Sequence, residues 1–305
     1  MPAALPRHPF ATRLAISLTF IGLPAAPLAA IEHFPTPELA TPAPALDDDS
    51  AAFAATLKRI VRPDGIDYAA LVADHADLDR YRAQLAVCAM PMDAKAKKAL
   101  FLNAYHAWTL AILVNLLPAD QRRWPTWRIY DQGTPTYSLW RRYDFELAHQ
   151  RFILDDLDGA NLKPMKDPRI RCVLWHASWG SPTLRAEPFV AARLDAQLDA
   201  ASTAFLVNPS HVLLSPDLKV VTLPNYFGAN QDDFHSVGGI PQFIALHGNH
   251  PLGIAVGSGA TIVFGAVNWR LDWSPTCATA ALGANPYGDS PPATTAASAT
   301  PPADK

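Results

Sequence analysis

Cysteine is scarce in this chain of 305 residues: Cys88, Cys172 and Cys277 are all there is. An odd count excludes a complete disulfide framework, and the spacings match no zinc motif. Local metal-binding patterns are missing too. The ten histidines include no His-x-x-x-His or His-Glu-x-x-His arrangement. His247 and His250 flank Gly248 and precede Pro251, which reads as a loop. No metal and no other cofactor is expected. Charge is also thin, at 17% of residues with a net charge of −3. Arg7 and Arg13 fall in a segment that reads as a leader, and without them the balance is −5. There is no basic footprint, so nucleic acid is not an expected partner. No internal repeat is visible. What the chain does have is apolar residues, half of the total, enough for a core and far from the composition of a disordered chain.

The two ends read differently from the middle. Residues 1–30 have the pattern of a secretory signal: Arg7, His8 and Arg13, then an apolar stretch from Leu14 to Leu23, then Ala25, Ala26, Ala29 and Ala30. The apolar run is short for a membrane anchor, and Pro24 and Pro27 interrupt it. Cleavage after Ala30 and a periplasmic or secreted location are therefore expected, with no stable membrane span left afterwards. Nine of the 29 prolines fall in the first fifty residues and five in the last thirty. Residues 31–47 read as a Pro/Ala/Thr linker and 276–305 as a disordered Ala/Thr/Pro tail. One domain, residues 48–275, remains.

Periodicity predicts amphipathic helices over 51–62 and 68–87, the second carrying Leu71, Leu78, Tyr81 and Leu85 at helical spacing. The run from Ala99 to Leu117 is apolar nearly all round, which predicts a central helix over 95–117 buried in a soluble core. Asn103 and His106 share one of its faces. Short strands are predicted at Arg171–Trp175, Lys219–Leu223, Leu252–Val256 and Thr261–Phe264. Residues 267–273 alternate in strict period two. A helix is predicted over Pro188–Val207, stopped by Asn208-Pro209. His149 reads as a hairpin turn, and Asp155-Asp156 as a helix cap rather than a metal site. The fold class is α+β: a helical N-terminal half whose buried central helix packs on a mostly antiparallel sheet.

The order of landmarks resembles the domain-of-unknown-function family 547. Ile66-Asp67-Tyr68 comes first, followed by Phe101-Leu102-Asn103-Ala104-Tyr105-His106-Ala107. Leu154-Asp155-Asp156-Leu157, Asp167-Pro168-Arg169-Ile170 and Ser181-Pro182-Thr183-Leu184-Arg185 come next. Leu194 to Leu198, Asp233-Phe234 and Leu271-Asp272-Trp273-Ser274 complete the set. That family occurs in bacterial exported proteins and in plants, and the resemblance implies an exported protein with a hydrolase-like, papain-like version of the α+β fold. This chain is a diverged member. Where the family pattern has an Asn-Cys pair and a second Cys, it has Trp175-His176 and Ser181; where an acidic-His pair is usual, it has Asp158-Gly159. Cysteine-based hydrolysis is therefore not expected.

The loop Trp175-His176-Ala177-Ser178-Trp179-Gly180-Ser181-Pro182 is the best remaining site. His176, Ser178 and Ser181 are the catalytic candidates, though the loop lacks the Gly-x-Ser-x-Gly elbow and no spacing selects a triad acid. Asn103, His106, Trp175, Trp179 and Arg185 are the binding candidates. Between Arg122 and Arg142, Trp124, Trp127 and Trp140 interleave with arginines, a composition suited either to core anchoring or to holding sugars and anionic polymers. Two functions stay open. One is a binding or scaffold domain of the envelope, with a cell-envelope polymer or peptide as partner. The other is a hydrolase with a reassigned site at residues 176–181.

Overall fold

A computed structural model gives the fold, and the structure describes residues 31–40, 45–47, 50–133 and 138–277. The leader at 1–30 and nearly all of the tail at 276–305 lie outside the described residues. The fold class is α+β, as the sequence implies.

Helix α1 (Ala51–Ile60) runs into a tiny antiparallel ribbon of β2 (Val61–Arg62) and β3 (Gly65–Ile66). Asp67 then caps α2 (Tyr68–Ala73) by accepting from the Ala70 N–H at 2.9 Å. The single helix expected over 68–87 is two helices, because the backbone turns extended at Asp74 before α3 (Ala76–Val87) begins. Arg59 holds the chain at the break. Its guanidinium donates to the carbonyls of Ala70 and Asp74 at 2.6 and 2.5 Å; Ala70 O also takes the last helical bond, from the Asp74 N–H, while Asp74 O, which a continuing helix would bond internally, is held by the arginine.

The apolar run forms α4 (Ala94–Leu116), capped by Asp93. Every residue from Ala99 to Leu113 is buried. By length and composition α4 could cross a membrane, but 83% of its apolar window is covered by protein here. This is the buried central helix that the sequence predicts, with α3 and the segments around residues 157–175 packed about it.

The expected mostly antiparallel sheet is three small sheets, two of which contain a parallel pair. In the first, β1 (Glu32–His33) lies parallel to β4 (Tyr143–Leu147), which forms an antiparallel hairpin with β5 (Gln150–Ile153). The ribbon β2–β3 is the second. The third has the order β6 (Leu213–Leu214), β7 (Val220–Pro224), β8 (Thr261–Gly265), with β7–β8 parallel. The start of the proline-rich stretch takes part in the fold: Phe34 is buried against Trp108, and Arg82 donates to the Pro35 carbonyl.

Two expected strands are helical. Arg171–Trp175 overlaps a tight turn at Pro168–Cys172, where Asp167 accepts from Arg169 N and the Val173 and Leu174 N–H groups both reach back to Ile170 O. Local bonding there satisfies the donors that a strand would have offered to a ladder. Leu252–Val256 lies within α10 (His250–Gly257), where Asn249 caps the helix and Pro251 occupies its first turn. A short apolar run cannot distinguish strand from helix; the cap and proline do. The helix near Pro188 starts only at Leu194 as α7 (Leu194–Val207), after a short turn at Ala191–Arg193. Residues 267–273 join no sheet and touch others through single bridges, Arg128 to Arg270 and Ile66 to Trp273. Short helices α5 (Leu139–Arg142), α6 (Leu154–Asp156) and α8 (Asn225–Ala229), with α9 (Ile240–His247), complete the regular elements.

Buried side chains divide into two clusters. The larger surrounds α4, and the smaller gathers Phe205, Phe227, Phe234 and Phe243 under the third sheet. Cys172 belongs to the smaller cluster, while Val173, Leu174 and Trp175 belong to the larger. Ile170, before Cys172, also belongs to the larger, so immediately before the candidate loop the chain touches the smaller core through Cys172 alone.

Candidate functional site

Loop 175–182 is held from several sides. Trp175 is fully buried, and its indole N–H donates to Asp272 Oδ2 at 2.6 Å. Tyr68 donates its phenol to the other Asp272 oxygen at 2.5 Å. Burial raises the Asp272 carboxyl to about 6, and these two donors limit the rise. From α4, His106 Nε2 lies 3.0 Å from Val173 O. Burial lowers its pKa to about 3, so the ring is a neutral structural group. Asn103, one turn before, exchanges two 2.8 Å bonds with the backbone of Phe189. Further along, Trp179 N and Gly180 N donate to Arg270 O and Asn268 O. Only glycine fits at 180, where a Cβ would lie 2.5 Å from the Asn268 nitrogen.

Of the catalytic candidates, both serines are buried. Ser181 Oγ donates to Ser178 O at 2.8 Å and accepts from the His176 N–H at 3.1 Å, closing the turn. Ser178 Oγ has no hydrogen-bond partner among the described residues. Among the described residues, no serine hydroxyl and no carboxylate is hydrogen-bonded to the His176 ring. The imidazole sits instead among four other rings: Trp140 at 5.4 Å, Tyr105 at 5.8 Å, Trp269 at 6.3 Å and Tyr226 at 6.5 Å between centroids. Tyr130 extends this wall by packing on Trp269 at 5.0 Å. His176 Nδ1 is buried and unpartnered. Burial lowers the ring's pKa to about 4; Asp158 opposes the shift and Arg171 adds to it. At neutral pH the imidazole is uncharged.

An ion cluster lies close enough to act on these rings. Arg171 donates to both Asp158 oxygens, at 2.9 and 2.5 Å. Its Nε is 2.8 Å from Asp233 Oδ2, ion-pair distance without hydrogen-bond alignment. Two carboxylates share one buried guanidinium, so the cluster is net negative. It raises no base at His176, because Asp158 is committed to Arg171.

The binding candidates scatter. Asn103, His106 and Trp175 are internal supports of the loop. Arg185 pairs with Glu187 and lies 5.9 Å over the Phe189 ring. Trp179 is half-buried and meets the site through its backbone. Trp124 and Trp127 are core anchors. Sequence reasoning missed Tyr105, Tyr226, Arg171 and Asp233. Tyr105 stands inside the Phe101–Ala107 motif and Asp233 inside the Asp233-Phe234 landmark, which were their signals; Tyr226 arrives from the distant third-sheet region, and nothing local marks it. No group of three or more metal-ligating side chains occurs among the described residues.

No curated protein and no solved structure matches the chain. A family model described as Protein of unknown function, DUF547, matches residues 90–206. That span carries α4, the β4–β5 hairpin and the loop with His176, whereas Tyr226 and Trp269 come from beyond it. Over residues 90–206 the chain is similar to the DUF547 family.

Proposed function

We propose that this protein is an exported envelope domain that binds a sugar-bearing polymer on the aromatic wall around His176 and does not cleave it by thiol or serine chemistry. One observation carries the reading: four rings surround the His176 imidazole while, among the described residues, no serine or carboxylate is hydrogen-bonded to it. Indole and phenol faces stack on the apolar faces of sugar rings, and a neutral imidazole adds a hydrogen-bonding edge without a charge. The thiols are out of play. Cys172 is buried, and burial drives its pKa far above the ordinary value, so no thiolate is available there.

The test is a titration with a tetramer of N-acetylglucosamine, followed by tryptophan fluorescence and by mass spectrometry of the sugar. Saturable quenching, at least tenfold weaker in Trp269→Ala, with the tetramer recovered intact, is the expected result. Absence of saturable quenching refutes the sugar-binding reading. Cleavage that disappears in His176→Ala would establish a hydrolase instead. Export is checked separately by the mass of the chain recovered from its host, which should begin at Ile31.

A further inference from the structure

The edges of the three sheets differ in how they are guarded. An edge strand leaves a row of backbone groups unpaired, and proteins usually shield it by shortness, charge, proline or a bulge. Among the described residues, β1, β2, β3 and β6 are two residues long, and β5 carries Arg151. β8, at the edge of the third sheet, has none of these guards. It runs for five residues, Thr261-Ile262-Val263-Phe264-Gly265, without charge or proline. Its ladder to β7 is unbroken from Thr261 to Gly265, so no bulge turns the edge away. No Asp, Glu, Lys or Arg occurs anywhere in residues 234–269.

The parallel register fixes which groups are open. Thr261 pairs with Val220, and its N–H donates to Lys219 O at 2.8 Å. Bonding to β7 therefore falls to Thr261, Val263 and Gly265, while Ile262 and Phe264 aim their N–H and C=O outward. No other described backbone group bonds to them. Side chains alternate in the same way. Ile262 and Phe264 share the inner face with the buried Val221 and Leu223, and Phe264 packs against Gly228 of α8. Val263 stands on the outer face. Val263 and Phe264 are each 39% exposed.

This edge is complementary to itself. A second copy turned half-way round, about an axis through Val263 and perpendicular to the sheet, brings each Ile262 opposite the other copy's Phe264. Each such pair exchanges both N–H···O=C bonds, so every open group on both edges finds a partner. The two Val263 side chains then meet as a non-hydrogen-bonded pair, the closer kind, and Thr261 lies opposite Gly265, which has no side chain to crowd it. A one-residue slip would set open groups against groups already bonded to β7.

We propose that β8 is a docking edge for β8 of a second copy, joining the two third sheets antiparallel into one continuous sheet with Val263 on the axis.

The test is sedimentation of the intact protein at increasing concentration, with amide hydrogen exchange read at Ile262 and Phe264. A monomer–dimer equilibrium is expected, and these two amides should exchange more slowly as dimer forms. Val263→Lys sets two ammonium groups face to face from an exposed position, and should weaken dimerisation at least tenfold while keeping the fold. Register is read by cross-linking in a Cys277→Ser background, where the remaining native thiols, Cys88 and Cys172, are buried. Val263→Cys should give a disulfide-linked dimer under mild oxidation. Thr261→Cys should not, since Thr261 lies opposite Gly265 rather than opposite itself. Cross-linking decides the matter should Val263→Lys not fold. The proposal is overturned by a chain that stays monomeric at every concentration, by a dimer that a folded Val263→Lys variant leaves unchanged, or by Thr261→Cys cross-linking as readily as Val263→Cys. Slow exchange at Ile262 and Phe264 in a monomer would place a segment of the same chain on the edge, and overturns it too.

Discussion

Asn103 illustrates how much one amide can hold. It sits on a helix that is otherwise apolar, and its two bonds tie α4 to Phe189, well along the chain. Asn103→Leu would strand a buried carbonyl and a buried N–H together. A loss of roughly 1–3 kcal/mol in urea denaturation is expected. The sequence made this bond legible, since an amide on a buried face needs a partner; only the partner's identity was hidden. His176 was the opposite case. Its importance could be read from its position in the loop, but not the rings around it, because Tyr226 and Trp269 reach it through tertiary packing alone. The cysteines make a second residue-scale prediction. Cys88 and Cys172 are buried, and burial raises both thiols above their ordinary pKa; Cys277 is half-exposed. Iodoacetamide on the native protein should label Cys277 first and Cys172 last, with sugar binding unaffected. Loss of binding in step with Cys172 labelling would return the thiol to the mechanism.

Among the elements, the β4–β5 hairpin is bound to a helix through its tip. Ala148 and His149 both have positive φ, 51° and 61°, and their N–H groups donate to Leu85 O and Ala86 O at the end of α3, each at 2.8 Å. The turn therefore finishes the helix as well as reversing the strand. Left-handed backbone costs an alanine roughly 1–2 kcal/mol relative to its preferred regions. Ala148→Gly relieves that strain and loosens the unfolded chain, so a net gain of about 0.5–1 kcal/mol is expected in thermal unfolding. A turn at His149 was legible in the sequence; its docking on α3 was not, since hydrophobic periodicity carries no information about which carbonyls remain open at a helix end. The same limit explains the strand expected at Arg171–Trp175. The short apolar run Cys172–Trp175 suggested a ladder, while Asp167-Pro168 supplied a turn that competed locally and prevailed. At the loop, Asp272 receives donors from Trp175 and Tyr68. Asp272→Leu leaves both unpaired, and a destabilisation of at least about 2 kcal/mol is expected, with a changed near-ultraviolet signal as Trp175 loses its fixed environment.

For the whole molecule, buried titrating groups set the response to acid. His106, His176 and His211 are lowered by burial to about 3, 4 and 4, so each contributes stability that is present above pH 6.5 and lost as pH falls. Asp272 works against them. Its carboxyl, raised to about 6, favours the fold most when protonated, and that contribution is lost as pH rises from near 4 through 6. Three histidines outnumber one aspartate, so the urea midpoint should drop steadily between pH 6.5 and pH 4. His211→Phe should flatten the slope, and Asp272→Asn should steepen it. An unchanged midpoint across that range would mean these rings are hydrated rather than buried.

The reach of Cys172 into the smaller core, between Ile170 and Val173 in the larger, gives the segment the role of a rivet through two plates. Neither plate can open fully while the rivet is seated. Trp175 and His106 fasten it on one side, and Cys172 and the Arg171–Asp233 pair on the other. A sugar that gripped Trp140 and Trp269 over His176 would clamp the rivet from outside. Hydrogen exchange should then slow together in α4 and in the helices of the smaller core, although the sugar touches neither interior.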